Sequence, residues 1–460
     1  MKALMIAGDR SGSGKTSITL AIASVLSRTM AVQTFKVGMD YIDPSYLSAV
    51  TGRPCRNLDT YVMSPDQVLS VFANGCRGAD VALIEGVRGL YEGAEALDDS
   101  GSSASVARIL EVPVVLVVNA RSITRSAAAI VRGFQSFDPS IRIAGVILNN
   151  VAGEKHAEKA GKAVEHYCGV PVLGTVPRDP ELELGMRHLG LVPFREGQEV
   201  SGFREKIGTI TEVVRQSVDT GSLLKIAREV CLPEGEAPWF SRTKKEHTRI
   251  GIAYDHVFNF YYADLFDILK AQGSTIVFFS PASGDLPDAD GYIIGGGYPE
   301  MHAAALAENQ NMLEEIRERS REGTPLYAEC GGLMYLTREL VLKEGWQGKK
   351  SEERYSMSGV FPGKTVMPAR RVVAYVSGES SPESPMGASR FRGHEFHYSA
   401  VLLPHDTRFA YRLSRGQGIR DGQDGALVRK TLGSFSHLHP VGSHAMFSRF
   451  LETCRDSREA

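Results

Sequence analysis

The sequence lacks a long apolar run, a paired-cysteine motif and an excess of charge of either sign. Its longest apolar stretch, residues 112–118, is far shorter than the roughly 20 residues that a membrane-spanning helix needs. Its 6 cysteines are spread singly, which excludes a disulfide framework and a C-x-x-C metal pair. A net charge of -2 leaves no basic footprint for nucleic acid or anionic lipid. We therefore expect a cytoplasmic protein that binds neither nucleic acid nor a membrane.

The length and composition favour two globular domains. A chain of 460 residues is too long for one typical core and suits two domains of roughly 200 residues each. Apolar periodicity is lost around residues 232–248, where proline, glycine and charged residues gather as in an exposed linker. The sequence therefore predicts domains at residues 1–232 and 249–460, joined by a linker at 233–248.

Short apolar runs alternate with helical stretches in both halves. In the first half the runs are residues 2–8, 32–38, 80–86, 112–119, 142–150 and 170–176. In the second half they are residues 249–255, 274–281, 290–297 and 324–330. Continuous runs of this kind are typical of parallel strands covered by helices on both faces. We predict an α/β fold for each half, with residues 377–390 as a flexible loop.

The segment from Gly8 to Thr16 has the context of a phosphate-binding loop, since a strand-like run precedes it and a helical pattern follows. Strict spacing would place the first glycine at position 9, whereas this chain has Asp9 there and glycine one residue earlier, which favours a variant subclass. Lys15 is expected to reach the terminal phosphates and the Thr16 hydroxyl to bind Mg²⁺. The predicted ATP-binding residues are Gly12, Ser13, Gly14, Lys15 and Thr16.

Several carboxylates follow strand-like runs near this loop. Glu85 closes the run 80–86 and is a candidate Mg²⁺ ligand, because ligands of open α/β sheets bind at the carboxyl ends of strands. Asp40 follows another strand and is predicted as a second metal ligand or as an acceptor-binding residue, with Asp43 as the alternative. Glu92 lies on the loop after Glu85 and is either a further functional residue of this site or a surface acid. The metal prediction is thus Thr16, Glu85 and Asp40, with Mg²⁺ as the ion.

Cys330 lies between an apolar run and two glycines, Gly331 and Gly332. A strand, a sharp turn and a helix expose a side chain at the apex, and the helix N-terminus favours a thiolate there. This pattern predicts a nucleophile. An inert buried cysteine is the alternative.

A thiol that attacks an amide needs a base and an oxyanion site. His437 and His439 are two residues apart, hence on the same side of an extended chain. We predict His437 as the base and His439 as its orienting partner. The backbone N–H groups of Gly296 and Gly297 are the predicted oxyanion donors. In the segment 393–399, the pair of histidines around Glu395 is expected to have a structural or acceptor-contacting role rather than to bind zinc.

Taken together, these motifs make the chain similar to the cobyrinate a,c-diamide synthase family over nearly its full length. The motifs are SGSGKT, KVGMDYIDPSY, TGRPCRNLD, IEGVRGLYEG, FYYADLFDIL, GGGYPE, AECGGLMYL, GHEFHYS and SHLH. The resemblance implies a dethiobiotin-synthetase-like ATP domain followed by a class I glutaminase domain. It also implies that two acetate carboxylates of a tetrapyrrole, a and c, are phosphorylated by ATP and then captured by ammonia from glutamine.

The resemblance also assigns residues. Cys330 corresponds to the nucleophile, His437 to the residue that activates it, and Lys15, Thr16 and Glu85 to the ATP and Mg²⁺ contacts. The residues that fall on the family's acceptor side are Asp40, Tyr41, Ile42 and Glu92.

Two positions depart from the cobalt-pathway pattern, since Met39 stands where proline is usual and Glu92 where aspartate is usual. The segments DYIDPSY, VRGLYEG and NARSITRSAAA resemble the branch that amidates Ni-sirohydrochlorin. We therefore expect Ni-sirohydrochlorin or cobyrinate as acceptor, the former favoured, and one enzyme could serve both. The expected partners are the small molecules ATP, glutamine and a tetrapyrrole acid, and a homodimer is compatible with the sequence. The alternatives are a P-loop ATPase switch with a non-catalytic second domain and a cobyric-acid-synthase-like amidase of other side chains.

Overall fold

The computed structural model describes residues 1–179, 186–187, 190–191, 203–232, 235, 237–242 and 248–459. These residues form two compact units, Met1–Ala237 and Pro238–Ala460. The division lies inside the expected linker, of which residues 233–234, 236 and 243–247 fall outside the described part of the chain. Both units are built from strands and helices, so the predicted α/β class is confirmed.

The first unit is a mainly parallel sheet with helices between its strands. Its described strands are β1 (Lys2–Gly8), β2 (Val32–Val37), β3 (Arg56–Leu58), β4 (Val81–Gly89), β5 (Val114–Asn119), β6 (Ile143–Val151), β7 (Val172–Pro177), β8 (Met186–Arg187), β9 (Gly190–Leu191) and β10 (Arg228–Glu229). Its described helices are α1 (Lys15–Leu26), α2 (Ile42–Thr51), α3 (Pro65–Cys76), α4 (Ser103–Leu110), α5 (Arg125–Phe137), α6 (Glu154–Cys168), α7 (Phe203–Ser217) and α8 (Thr220–Ile226).

The order of strands in this sheet is β3, β2, β4, β1, β5, β6, β7, and all of these pairs are parallel. Strand β10 adds an antiparallel pair at the start of β1, and β8 and β9 form a separate hairpin. The side chains of β1 and β5 are almost all buried, as expected of strands covered on both faces. Because β2, β4 and β1 are neighbours, their carboxyl ends bring three loops together at one edge.

The second unit also begins as a parallel sheet. Its described strands are β11 (Thr248–Ala253), β12 (Phe258–Phe260), β13 (Ser274–Phe279), β14 (Gly291–Ile294), β15 (Gly296–Gly297), β16 (Leu326–Glu329), β17 (Thr337–Leu342), β18 (Glu353–Ser356), β19 (Phe361–Met367), β20 (Val372–Ser380), β21 (Ser389–His397), β22 (Ala400–Leu402), β23 (Arg408–Arg415), β24 (Gln423–Val428), β25 (Thr431–Ser434) and β26 (His437–Leu438). Its described helices are α9 (Ala263–Ala271), α10 (Ala303–Glu308), α11 (Gln310–Glu322), α12 (Gly331–Leu336) and α13 (His444–Glu459).

Ten of these strands form one sheet in the order β13, β11, β14, β16, β25, β24, β23, β20, β21, β26. The pairs from β13 to β25 are parallel, and the rest are antiparallel. A second sheet has the order β18, β17, β19, β22, and β12 pairs with β15. Strands β14, β16 and β25 are neighbours, so the segments that follow them meet at one edge.

Two details differ from the sequence predictions. The expected loop 377–390 is shorter than predicted, because β20 extends to Ser380 and β21 begins at Ser389, and the two antiparallel strands leave residues 381–388 as their connection. Strand β4 continues past Glu85 to Gly89, so Glu85 does not end it.

Among the described residues, no helix combines the length and apolar character needed to cross a bilayer.

Candidate active sites

The segment between β1 and α1 is a tight loop whose backbone conformation depends on glycine. Gly14 precedes α1 with φ 89°, a left-handed conformation that glycine adopts without strain. A β-carbon at Gly14 would also lie 2.1 Å from Asn149 Nδ2, which donates to the Ser13 carbonyl at 2.8 Å. Gly12 also has positive φ, and a β-carbon there would meet nothing within 4 Å. The loop thus has room for a ligand on one side and is braced by β6 on the other.

Lys15 and Thr16 begin α1 at the edge where β2 and β4 end. Lys15 is buried, and burial lowers its pKa, an effect that the neighbouring Lys36 increases. The Thr16 hydroxyl donates to Glu85 Oε1 at 2.7 Å and lies 3.5 Å from Asp43 Oδ2. The structure therefore brings the predicted Lys15, Thr16 and Glu85 together.

Lys36, near the end of β2, is the residue that sequence reasoning missed at this site. Its Nζ lies 2.6 Å from Asp43 Oδ2 and 2.7 Å from Glu85 Oε1, and its side chain is 3% exposed. Burial alone would lower the pKa of Lys36, but Asp43 and Glu85 together raise it above its ordinary value. A lysine inside the fully buried strand VQTFKV is a signal that could have identified it, because a buried cation needs anionic partners.

The structure places Asp40 differently from the metal prediction. Asp40 Oδ1 accepts hydrogen bonds from the backbone N–H groups of Ile42 at 2.8 Å and Asp43 at 3.2 Å, at the start of α2. A carboxylate in this position satisfies N–H groups that have no partner inside the helix. The carboxylate that lies beside Thr16 and Lys36 is Asp43, the alternative that the sequence left open.

The other acceptor-side residues lie on the same edge. Tyr41 immediately precedes α2, and Ile42 is its first residue, 8% exposed. Glu92 is exposed on the loop after β4, and its side chain folds back towards Gly89. A β-carbon at Gly89 would lie 3.1 Å from Glu92 Oε1. On the same loop, the Leu90 backbone N–H donates to the Gly8 carbonyl at 2.9 Å. This bond ties the loop to the start of the phosphate-binding segment.

The chemistry of the oxygens at this edge fits a magnesium ion. Glu85 is fully buried, and its Oε2 atom has no hydrogen-bond partner. Hydroxyl and carboxylate oxygens are the ligands that Mg²⁺ prefers, and the ion commonly keeps several waters and binds one or two carboxylates together with phosphate oxygens. Among the described residues, no group of three or more His, Cys, Asp or Glu side chains forms a complete metal site. The residues that fit the ion are Thr16, Asp43 and Glu85.

Cys330 lies at a sharp turn between β16 and α12. Its backbone has φ 47° and ψ -97°, a strained conformation for a residue with a side chain. The turn is tightly packed, because a β-carbon at Gly332 would lie 2.2 Å from the Ile294 carbonyl and one at Gly331 would lie 2.9 Å from Gly297 N. Cys330 Sγ lies 3.8 Å from the Phe396 carbonyl oxygen. The predicted elbow is therefore present in the structure.

His437, the first residue of β26, lies against Cys330 in the interior of the second unit. It is 2% exposed and forms a hydrogen bond with the Cys330 thiol. Its Nδ1 atom lies 3.1 Å from Glu329 Oε2. Burial would lower the pKa of His437, but the hydrogen bonds with Cys330 and Glu329 raise it to about 10. An imidazolium beside a thiol favours the thiolate, the reactive form of cysteine.

His439 does not lie beside His437, in contrast to the sequence prediction. The extended segment ends at Leu438, and a turn follows in which Ser443 N donates to the His439 carbonyl at 2.8 Å. The His439 ring therefore points elsewhere: it is fully buried, packs at a tilt against Tyr262 with ring centroids 4.8 Å apart, and its Nε2 lies 3.7 Å from Asp264 Oδ2. The side chain at Nδ1 of His437 is Glu329, which the sequence analysis did not identify.

The predicted oxyanion glycines lie beside both reactive side chains. A β-carbon at Gly296 would lie 2.8 Å from His437 Cε1, and Gly297 N is the atom that closely approaches Gly331. At Gly297 a β-carbon would lie 1.8 Å from the Val257 carbonyl oxygen, so only glycine fits. These close approaches hold the backbone of β15 next to the elbow. The structure thus brings together Cys330, His437, Gly296 and Gly297.

The histidine-rich segment 393–399 belongs to β21 and packs beside this site. The His394 ring stacks on His437 with centroids 4.9 Å apart, and the His397 ring stacks on Phe435 at 3.7 Å. Burial lowers the pKa of His397 to about 4 and that of His394 well below its usual value. The Glu395 carboxylate accepts hydrogen bonds from the backbone N–H groups of residues 417 and 418. These contacts indicate a packing role for the segment.

Comparison with known proteins finds a separate family model for each half of the chain. Residues 4–192 match the model of the CobQ/CobB/MinD/ParA nucleotide binding domain. Residues 249–444 match the model of the CobB/CobQ-like glutamine amidotransferase domain.

Relatives that share nearly the whole chain carry the name cobyrinate a,c-diamide synthase. The relative from Methanosarcina barkeri is 46% identical over 99% of this chain and 97% of its own length. The one from Methanosarcina acetivorans is 47% identical over 98% of this chain and 94% of its own length. A third, from Methanothermobacter thermautotrophicus, is 41% identical over 97% of this chain and 98% of its own length. With both domains matched in this order, the chain belongs to the cobyrinate a,c-diamide synthase family of ligases, which take the amido group from glutamine.

Proposed function

We propose that the protein amidates the a and c acetate groups of a tetrapyrrole, with ATP to activate each carboxylate and glutamine to supply the nitrogen. The observation that carries the proposal is the presence, in one chain, of the Lys15 and Glu85 cluster at a phosphate-binding loop and of the Cys330 and His437 pair at an elbow. The first site suits phosphoryl transfer and the second suits release of ammonia from an amide.

At the first site, an acceptor carboxylate oxygen attacks the γ-phosphorus of ATP, which gives an acyl phosphate and ADP. The backbone N–H groups of the loop and the buried cations Lys15 and Lys36 face the negative charge of the phosphates. Bound Mg²⁺ would neutralise phosphate charge, and Thr16, Asp43 and Glu85 would hold it. Ammonia then attacks the acyl carbon, phosphate leaves, and the amide forms.

At the second site, the Cys330 thiolate attacks the side-chain amide carbon of glutamine. The proton held by His437 goes to the leaving nitrogen, so ammonia departs and a γ-glutamyl thioester remains. Backbone N–H groups of Gly296 and Gly297 are the proposed donors to the developing oxyanion. Water then hydrolyses the thioester to glutamate and restores the thiol.

Arg371 is a candidate for binding the carboxylate of glutamine. Its exposed guanidinium lies 5.7 Å from the ring centroids of Phe396 and Tyr398, and the Phe396 carbonyl oxygen is a direct neighbour of the Cys330 thiol. Stacking on two rings orients a guanidinium while leaving its N–H groups available to a carboxylate. We infer that Arg371 sets the position of the substrate at this site.

The acceptor is proposed to be Ni-sirohydrochlorin, with cobyrinate as the second candidate. The names of the relatives support cobyrinate. The departures at Met39 and Glu92 support the nickel tetrapyrrole. Met39 immediately precedes the acceptor-side residues Asp40, Tyr41 and Ile42, and Glu92 lies on the loop after β4.

The test incubates the protein with ATP, Mg²⁺, glutamine and one acceptor at a time, and counts exchanges of OH for NH₂ by mass spectrometry. Two exchanges on one acceptor are expected. No exchange on either acceptor, with ATP hydrolysis retained, would refute the proposal and favour a P-loop ATPase switch. Exchanges at other side chains would favour an amidase related to cobyric acid synthase.

The division of labour is tested with Cys330→Ser. The variant is expected to lose glutamine-driven amidation and to keep amidation driven by ammonium salts, because activation by ATP occurs in the first unit. Normal use of glutamine by the variant would contradict the assignment of the nucleophile.

A further inference from the structure

Glu329 is a buried strand-end glutamate whose side chain contacts His437 and the residues around it. It is the last residue of β16, immediately before Cys330, and it is 6% exposed. Its Oε2 atom lies 3.1 Å from His437 Nδ1. Its Oε1 atom accepts the Tyr327 hydroxyl at 2.6 Å and the Leu438 backbone N–H at 3.1 Å. Both oxygens of one buried carboxylate are therefore committed to His437 and its neighbours.

These contacts define the orientation of the imidazole. Because Nδ1 faces Glu329, the nitrogen left for the Cys330 thiol is Nε2. A carboxylate at Nδ1 requires that this nitrogen carry its proton, which fixes the tautomer of the neutral ring. It also stabilises the positive charge when the ring takes a second proton from the thiol.

We propose that Glu329 is the positioning residue that completes the glutaminase site, and that it acts on the reaction through His437 while Tyr327 holds it in place. This inference rests on the proposed function of Cys330 as the glutaminase nucleophile. It goes further by assigning a third residue, adjacent in sequence to the nucleophile, to the place expected for His439. Nucleophile and carboxylate thus come from one strand end, and the base comes from the segment after the neighbouring strand β25.

Among the described residues, Glu329 is the acidic residue whose side chain contacts the His437 ring. From β21, His394 stacks on the ring and His397 lies nearby, and burial keeps the pKa of both low, so neither carries charge at neutral pH. Burial raises the pKa of Tyr327 well above its usual value, so it remains a neutral donor. Removing the carboxylate charge should therefore lower the pKa of His437.

The experiment measures two properties of the full chain without ATP or acceptor: the rate of glutamine hydrolysis and the pH dependence of Cys330 alkylation by iodoacetamide. Glu329→Gln keeps the shape but removes the charge, and it is expected to lower kcat for glutamine hydrolysis about 100-fold. The step of the alkylation profile that reports deprotonation of His437 is expected to move to lower pH by roughly one to three units, because the imidazolium loses its anionic partner. Amidation driven by ammonium salts should be retained.

Two further variants keep the test decisive. Tyr327→Phe removes the hydroxyl that holds Glu329, and a smaller loss of kcat with a shift in the same direction is expected. Glu395→Gln is the matched control, because Glu395 is also fully buried but binds backbone N–H groups away from His437. Its alkylation profile should superimpose on that of the unmodified protein.

Opposite outcomes are distinguishable. A Glu329→Gln protein with kcat within threefold of normal and an unmoved alkylation profile would overturn the inference, as would an equal shift in Glu395→Gln. If Glu329→Gln does not fold, an unmoved profile in Tyr327→Phe overturns it. Failure of the unmodified protein to hydrolyse glutamine would instead overturn the proposed function of Cys330, whereas a wrong acceptor would leave both measurements unaffected.

Discussion

The buried ion pairs of Lys36 predict a large and pH-dependent loss of stability in Lys36→Met. The side chain is 3% exposed and bridges Asp43 and Glu85 at 2.6 and 2.7 Å. Removing one partner of a buried pair leaves an uncompensated charge and costs about 3–5 kcal/mol. For a unit of roughly 200 residues, 1 kcal/mol shifts the melting temperature by about 2–4 °C, so the expected decrease is roughly 6–20 °C at pH 8.

The assay is differential scanning calorimetry of the full chain, in which the transition of the first unit is identified by its upward shift with Mg²⁺ and ATP. The deficit should shrink as pH falls from 8 to 5. Lys36 holds the pKa of Asp43 down against the effect of burial, so without Lys36 the folded carboxylates bind protons more readily, and the variant gains stability relative to the unmodified protein as the pH falls. The double variant Lys36→Met, Glu85→Gln should recover part of the loss.

The matched control is Lys162→Met, since Lys162 pairs with Glu158 at 2.6 Å on the surface of α6, with 74% of its side chain exposed. Water and salt screen an exposed pair of this kind, so it contributes little to stability, and the transition should move by only a few degrees at most. The reasoning about Lys36 is refuted if Lys36→Met melts as close to the unmodified protein as this control does, or if its deficit is the same at pH 5 and pH 8.

Three more predictions concern the two active sites. Lys15→Ala should stop amidation with either nitrogen source while glutamine hydrolysis survives, and retained amidation would remove the phosphate-binding loop from the mechanism. Arg371→Ala should raise KM for glutamine about tenfold with little change in kcat, the effect of losing roughly 1.4 kcal/mol of ground-state binding, and an unchanged KM would contradict its assignment. Gly296→Ala should lower kcat for glutamine hydrolysis at least about tenfold, because its β-carbon would lie 2.8 Å from His437 Cε1, while ammonium-driven amidation continues. Normal glutamine hydrolysis by that variant would show that the ring has room to shift.

The features that the sequence predicted well are local ones. A phosphate-binding loop and a nucleophile elbow each occupy fewer than about ten consecutive residues between a strand and a helix, so their geometry follows from glycine positions and apolar runs. The positions of Lys15, Thr16 and Cys330 at these turns could be predicted in this way, as could the parallel strands that precede them. The antiparallel part of the second sheet has weaker patterns, and the loop predicted at 377–390 is shorter than expected, because the ends of a strand pair occupy both of its flanks.

The choice between Asp40 and Asp43 depended on where a helix begins. Since α2 starts at Ile42, Asp40 lies where a carboxylate caps the helix, while Asp43 lies in its first turn and points to Lys36. Without the helix boundary, Asp40 was the preferred candidate and Asp43 the alternative. Short shifts of such boundaries are the least certain part of any sequence-based prediction.

Glu329 and Lys36 share a signal that was overlooked. Each is a charged residue inside or at the end of a buried strand, and a charge in that position requires a partner across the sheet edge. The partner itself could not be predicted, because His437 is more than 100 positions from Glu329 and approaches it only through the pairing of β16 with β25. His439 was predicted instead because extended spacing was assumed beyond Leu438, where the chain turns.

The strained backbone of Cys330 has a practical consequence. A conformation with φ 47° is one that glycine adopts more easily than cysteine, so Cys330→Gly should fold at least as well as the unmodified chain while lacking the sulfur. On the proposed function, such a protein would no longer use glutamine and would amidate its acceptor with ammonia, or with another small amine, supplied in solution. The strained turn at Cys330 is therefore also the position at which a single substitution should remove the dependence on glutamine.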